Sequence, residues 1–177
     1  MADEKTVQSL KMQLFSQQGF KVFAILDGAS VPLLQQNLSS FAAEHACLYR
    51  GELQPDMAEV APYLVMLERD AEFTKWVLSK GWGEHWGIFG VTHADIWTLR
   101  RHFRKFLMVY DESRKSLYFR YYDPRVLRVY LPTCNPLELK TVFGPVASYL
   151  VEDEDPKSGK KFMFIGDTLQ EDKVMLG

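Results

Sequence analysis

The chain has 177 residues, which is enough to bury a substantial core and favours one domain. Hydrophobic residues make up 47% and charged residues 25% of the sequence, and this balance excludes a disordered chain. The longest apolar runs, such as Val22 to Leu26, fall far short of the roughly 20 residues that a membrane span needs. The charged N-terminus does not resemble a secretory signal, so we expect a cytoplasmic protein without a membrane partner.

The formal net charge is only −2, but the charge is unevenly distributed. Residues 98–130 carry 9 basic and 3 acidic side chains, whereas residues 1–97 carry 7 and 12. A basic block between acidic ends suggests a surface patch that meets an acidic partner. A solvated face without a partner remains the alternative.

The first half of the chain alternates between helical and extended patterns. Helical spacing of apolar residues predicts a helix over Glu4 to Ser16, and a second helix is expected from an N-cap at Ser30 to about Glu44. The apolar run Phe20 to Leu26 predicts a buried strand that ends in a turn at Asp27 and Gly28. Two further short strands are expected at 46–49 and 63–67.

A helix capped by Asp70 and ending at Gly81 follows, and then a strand over Ile88 to Val91. Asp95 opens a helix that places Arg100, Arg101, Arg104 and Lys105 on its outer side. The runs 108–110 and 117–122 are rich in β-forming residues, and the polar stretch 111–116 between them suits a hairpin connection.

Asp123 and Pro124 supply an N-cap and a first-turn proline for a helix to about Leu131. Another helix is expected at 137–143, whereas 146–151 suits a helix or a strand equally. Residues 162–165 read as the last strand, and little is expected to hold the tail from Gly166. The fold class is therefore α/β (α+β), with a mixed β-sheet flanked by helices. We expect a single compact domain, and the sequence leaves open whether it has two lobes.

A search for catalytic and cofactor motifs gives no candidate. Gly81, Gly83 and Gly87 are wrongly spaced for a dinucleotide-binding loop and precede a strand. Cys47 and Cys134 form no CxxC pair, and the four histidines show no paired-ligand spacing. We therefore expect no catalytic residue, no cofactor and no metal, although an enzyme with an unrecognised site remains an alternative.

The basic helix at 98–107 and the aromatic run Tyr118-Phe119-Arg120-Tyr121-Tyr122 suggest a second alternative, a nucleic-acid-binding module. The match to an RNA-recognition signature is poor, because the expected glycine-aromatic pattern is absent. Strand alternation would also bury some of these aromatic side chains. We therefore consider nucleic acid an unlikely partner.

One stretch is more specific. Residues 117–127, Leu-Tyr-Phe-Arg-Tyr-Tyr-Asp-Pro-Arg-Val-Leu, followed by Tyr130-Leu131-Pro132-Thr133-Cys134, closely resemble the signature of type VI secretion effector adaptors, also called effector chaperones. Further segments of the chain agree with this family in the same order, and together they span residues 20–155. They are Ala24-Ile25-Leu26-Asp27, Cys47-Leu48-Tyr49, Gly51-Glu52-Leu53, Ala61-Pro62-Tyr63-Leu64-Val65, Trp86-Gly87-Ile88-Phe89, His102-Phe103-Arg104-Lys105-Phe106-Leu107 and Phe143-Gly144-Pro145.

The resemblance implies a non-enzymatic cytoplasmic adaptor. Such a protein binds a toxic type VI effector and helps to load it onto the valine-glycine-repeat spike protein. The resemblance divides the chain into an N-terminal helix at 1–19, an adaptor domain at 20–155, and a C-terminal hairpin strand and tail at 156–177.

Charge and position then select the candidate site residues. The candidate partner-binding residues are Arg100, Arg101, Arg104, Arg120, Arg125 and Arg128. Four residues of the segments that resemble the family are expected to have structural roles: Asp27, Trp86, Asp123 and Pro124. We expect Asp123 to cap a helix, and Arg120 to form an ion pair with either Asp123 or Asp27. Trp82 and Trp86 are expected to pack beside Trp97 or Trp76 in the core.

Overall fold

The chain folds around one seven-stranded sheet in a computed structural model, which describes residues 1–110 and 112–176. A separate two-stranded hairpin lies outside this sheet. The strands are β1 (Lys21–Asp27), β2 (His45–Cys47), β3 (Pro62–Leu67), β4 (Gly87–Thr92), β5 (Met108–Tyr110), β6 (Ser116–Tyr118), β7 (Val146–Glu152), β8 (Ser158–Ile165) and β9 (Thr168–Met175).

The α-helices of the described residues are α1 (Glu4–Leu14), α2 (Leu34–Ser40), α3 (Pro55–Val60), α4 (Glu72–Gly81), α5 (Ile96–Phe103), α6 (Pro124–Tyr130) and α7 (Pro136–Phe143). Several begin where the sequence supplies a side-chain cap, since the carboxylates of Asp3, Asp95 and Asp123 accept backbone N–H groups at the starts of α1, α5 and α6. Within the described residues, no helix is long and apolar enough to cross a membrane.

The strand order in the sheet is β2-β3-β1-β4-β7-β8-β9, and every pairing is antiparallel. The helical crossover through α4 joins β3 to β4, which run in the same direction, but β1 lies between them. The sequence pattern of strand, helix and strand therefore does not produce adjacent parallel strands here. We expected a mixed sheet flanked by helices, and the structure has a sheet flanked by helices in which every strand pairing is antiparallel.

Helices cover both faces of the sheet. Val22, Ala24 and Leu26 of β1 belong to the hydrophobic cluster formed with α1, α2 and α4, whereas Phe23 and Ile25 belong to the cluster formed with α5, α6 and α7. Because successive side chains of a strand point to opposite faces, β1 is buried on both sides. The two clusters share one sheet, which confirms the α+β class and the single compact domain.

The second helix is shorter than its sequence pattern suggested. Ser30 does not cap it, because the Ser30 hydroxyl donates to the Asp27 carboxylate at 2.8 Å. The chain reaches α2 through Leu33, whose φ of 56° lies in the left-handed region. Ala42, with a φ of 50°, follows the end of the helix.

The C-terminal segment is held more firmly than expected. The ambiguous run at 146–151 is strand β7, and the tail from Gly166 is not loose, because it forms β9 along the whole of β8. The Gly166 φ of 57° fits the tight turn between these two strands. Strand β7 pairs with β4, far along the chain, whereas β9 is paired through the tight turn that follows β8.

Candidate functional site

Asp27 lies at the last position of β1 and its residue surface is only 2% exposed. The Arg120 guanidinium donates to the Asp27 carboxylate, which also accepts the Ser30 hydroxyl at 2.8 Å and the Ala29 N–H at 3.1 Å. Of the two partners that the sequence suggested for Arg120, the structure selects Asp27. This pair ties the segment after β6 to the centre of the sheet.

Asp123 begins α6, where its carboxylate accepts the backbone N–H of Arg125 at 2.9 Å and two guanidinium N–H groups at 3.0 and 2.7 Å. Burial raises the pKa of this carboxyl, but the hydrogen bonds and charge of Arg125 outweigh burial and leave the pKa below its ordinary value. Pro124 is buried in the first turn. Asp123 and Pro124 therefore have the structural positions that the sequence indicated.

A third buried carboxylate, Glu152, lies at the end of β7 with 1% of its residue surface exposed. It accepts the His85 backbone N–H at 3.2 Å, and its oxygen lies 2.7 Å from the ring Nδ1 of the same histidine. Burial raises the pKa of Glu152 above its ordinary value, although His85 acts in the opposite direction. Arg128 donates to the backbone carbonyl of Glu152 at 3.2 Å.

Sequence reasoning missed Glu152, because it begins a run of charged residues of the kind that is typical of a solvated surface. Its only signal is that it directly follows the apolar run at 146–151, so it continues the strand. Asp27, Asp123 and Glu152, with Arg120, Arg125 and His85, are called the sheet-end network below. Each of its carboxylates accepts more than one hydrogen bond from the protein, and the Arg128 contact with the Glu152 carbonyl links α6 to β7.

The arginines of α5 do not all face solvent. Arg100 donates to the Cys47 carbonyl at 3.1 Å, and Arg104 donates to the carbonyls of Cys47, Leu48 and Tyr49. These contacts cap the C-terminal end of β2, which is the first strand of the sheet. Arg101 remains exposed, with a contact to the Thr98 hydroxyl at 3.3 Å.

The tryptophans divide in the same way between core and surface. Trp86 packs against Trp76 with ring centroids 5.0 Å apart, and Trp82 packs against Phe89 and donates to the Pro156 carbonyl at 2.9 Å. Trp97 is 61% exposed, with the Arg100 guanidinium 5.5 Å from its ring centroid. The expected core contact between Trp86 and Trp76 is therefore confirmed, whereas Trp97 does not belong to the core.

A small groove separates the β5–β6 hairpin from α3 and the loop after β2. It has a volume of about 220 Å³ and is called the hairpin groove below. Its lining residues are Leu48, Tyr49, Arg50, Leu53, Met57, Arg104, Leu107, Met108 and Tyr118. The sequence did not predict α3, because none of its six residues is buried and a core-facing pattern is lacking.

A larger cavity of about 540 Å³ lies at the opposite end of the sheet, between α1, α2, α4 and the start of β1. Aromatic side chains contribute much of its wall, including Phe15, Phe20, Phe41 and Phe73. Across residues 1–110 and 112–176, His, Cys, Asp and Glu side chains form no group of three able to hold a metal ion.

Three of the six candidate arginines, Arg120, Arg125 and Arg128, therefore meet at the sheet end, and Arg100 and Arg104 meet at the C-terminal end of β2. The scaffold is an antiparallel α+β domain with a basic, aromatic surface beside a buried ion-pair network. A family model for a domain of unknown function, DUF4123, matches residues 22–141, about two thirds of the chain. The protein belongs to this family. No curated protein and no solved structure matches this chain.

Proposed function

We propose that the protein is a non-enzymatic adaptor that binds a type VI secretion effector in the cytoplasm and helps to load it onto the valine-glycine-repeat spike protein. The observation that carries this proposal is the family match over residues 22–141. That stretch contains the motif at 117–127, on which the resemblance to effector adaptors rests. The family description itself assigns no activity.

The site is compatible with a role in recognition. Asp27, Asp123 and Glu152 are engaged by arginine or histidine side chains, as expected of groups that stabilise a fold. The basic excess of residues 98–130 supports an acidic partner. Arg101 is the best probe of this surface, since Arg104 binds backbone carbonyls and its replacement would disturb β2.

The test is affinity isolation from the source organism, followed by co-expression with each type VI effector that this organism encodes. We expect a stable complex with one effector, and weaker capture by Arg101→Glu with thermal unfolding unchanged. Lys75→Glu is the matched control, because Lys75 is exposed on α4 against the other face of the sheet. Recovery of nucleic acid with neither effector nor spike protein would overturn the proposal.

The alternative of a nucleic-acid module is weakened by the geometry of α5. Arg100 and Arg104 are turned towards the carbonyls at the end of β2, so they are not free to follow a phosphate backbone. Arg101 and Lys105 are the exposed cations of this helix and the turn that follows it. Strongly salt-dependent retention on RNA or DNA would support the alternative instead.

A further inference from the structure

The β5–β6 hairpin carries an unusual amount of exposed apolar surface. All six of its strand residues are exposed, and five of them are large and apolar. These five are Met108, Val109, Tyr110, Leu117 and Tyr118, with exposures from 38% to 71%. An isolated two-stranded hairpin is only marginally stable in water, so exposed apolar residues on such an element indicate a surface that another molecule covers.

The edges of this hairpin also lack the protection found elsewhere in the molecule. The C-terminal end of β2 is capped by Arg100 and Arg104, and β9 carries charged residues at 171–173. The hairpin strands, Met-Val-Tyr and Ser-Leu-Tyr, contain neither charge nor proline. Because each strand of a two-stranded sheet pairs on one side only, each offers an open row of backbone N–H and C=O groups.

The hairpin groove beside these strands is suited to a side chain. Met108 and Tyr118 contribute to one wall, and Leu53 and Met57 contribute to the other. Its volume of about 220 Å³ is below the ~300–1,000 Å³ of sites that enclose a whole small molecule. An apolar side chain of a bound segment is therefore a better occupant than a free metabolite.

The charge at the groove selects an acidic occupant. Arg50 and Arg104 line it, and none of the described lining residues is acidic. Arg104 donates to neutral carbonyls, which leave its positive charge uncompensated. Burial lowers the pKa of Arg104, and the neighbouring positive charges of Arg100 and Arg50 act in the same direction.

We propose that a linear segment of the effector adds to the β5–β6 hairpin as an extended strand. This segment places an apolar side chain in the hairpin groove and an acidic side chain beside Arg50 and Arg104. Backbone pairing supplies affinity in such an arrangement, and the groove supplies selectivity for the inserted side chain. The inference rests on the proposed function, since it states how the effector is held.

The test uses the full chain co-expressed with each type VI effector encoded by the source organism. In the complex, hydrogen exchange at 108–110 and 116–118 should be slower than in the free protein. The double variant Met108→Asp with Tyr118→Asp should bind the effector at least about tenfold more weakly. Leu137→Asp is the matched control, since Leu137 is an exposed apolar residue of α7 outside the groove and should bind normally.

Arg50→Glu provides a second variant outside the hairpin strands, and it should also weaken effector binding. An effector complex with unchanged hairpin exchange and undiminished binding by these variants would overturn the strand-addition proposal and leave the adaptor function standing. If no effector binds the unmodified chain, the adaptor function falls and the inference falls with it. Hairpin protection that nuclease treatment abolishes would identify RNA as the occupant and overturn the inference.

Discussion

The sheet-end network and the β5–β6 hairpin adjoin at Arg120, two residues after β6, but satisfy their polar groups in opposite ways. The network buries its carboxylates, with 1% to 5% of each residue exposed, and pairs them with arginine or histidine. The hairpin exposes all its strand residues and leaves two backbone edges open. The network uses its polar side chains to stabilise the fold, whereas the hairpin leaves backbone N–H and C=O groups available to another chain.

Parts of both regions lie within one motif, residues 117–127, and this explains how the motif can combine two roles. Its first residues belong to β6, whereas Tyr121 and Tyr122 are buried and begin the turn into α6. The Tyr121 hydroxyl donates to the Phe103 carbonyl at 3.1 Å, which anchors the base of the hairpin on α5. Buried tyrosines thus hold the exposed hairpin in place, and substitutions in the network or in the hairpin test these two roles separately.

Among substitutions within the network and the hairpin, the largest effect is expected from Arg120→Ala. Among the described residues, the substitution leaves the buried Asp27 carboxylate with the Ser30 hydroxyl and the Ala29 N–H, so we expect a loss of about 2 kcal/mol in the free energy of unfolding. The loss should stay below that for a fully buried pair, because the Arg120 side chain is 47% exposed. Chemical denaturation measures it.

Two companion variants show whether burial of the carboxylate is the cause. Arg120→Lys keeps the charge and should recover part of the stability. Arg125→Ala should cost less than about 1 kcal/mol, since Asp123 keeps the backbone N–H of residue 125 and its role as helix cap. Equal losses for Arg120→Ala and Arg125→Ala would contradict the importance assigned to Asp27.

The parts of the fold that the sequence predicted are those with local signals. The apolar run of β1, the Asp95 cap of α5 and the Asp123-Pro124 start of α6 each depend on neighbouring residues, and each lies where expected. The last strand, β9, has mostly exposed residues, and only its pairing with β8 defines it. Because few of its side chains are buried, β9 lacks the apolar alternation by which a strand is recognised in a sequence.

The candidate site shows the same limit. The role of Asp123 followed from its position before a proline, whereas the choice of Asp27 as the partner of Arg120 required two segments 93 positions apart. The outward orientation assigned to Arg100 and Arg104 was wrong, because helical spacing does not reveal that the end of β2 packs beside α5. His85 had no visible link to Glu152.

A smaller effect, dependent on pH, is expected from Glu152→Gln. Burial raises the folded-state pKa of Glu152 above its ordinary value of 4.5, so in this range the folded state holds its proton more tightly than the unfolded state. The free energy of unfolding contributed by Glu152 therefore falls as pH rises from about 4.5 through the raised pKa. Glutamine does not ionise, so the variant loses this dependence.

Urea denaturation of both proteins from roughly pH 4 to pH 8 measures the difference. The stability of Glu152→Gln relative to the unmodified protein should improve with rising pH and then become constant. Glu154→Gln is the control, because Glu154 is exposed and its contact with the Asp153 carboxylate is made by its backbone N–H, which the substitution keeps. A difference that is the same at every pH would contradict the assigned effect of burial.

The smallest effect on stability is expected in the hairpin itself. Val109→Ser should change the free energy of unfolding by less than about 0.5 kcal/mol, because Val109 is 40% exposed and lies outside both hydrophobic clusters. The same substitution at Val151, which is fully buried in β7, should cost about 2 to 4 kcal/mol through lost packing and a buried hydroxyl. Denaturation of the two variants side by side makes the comparison direct. A large loss at Val109 would show that the hairpin supports the fold, and its exposed residues would then need no partner to explain them.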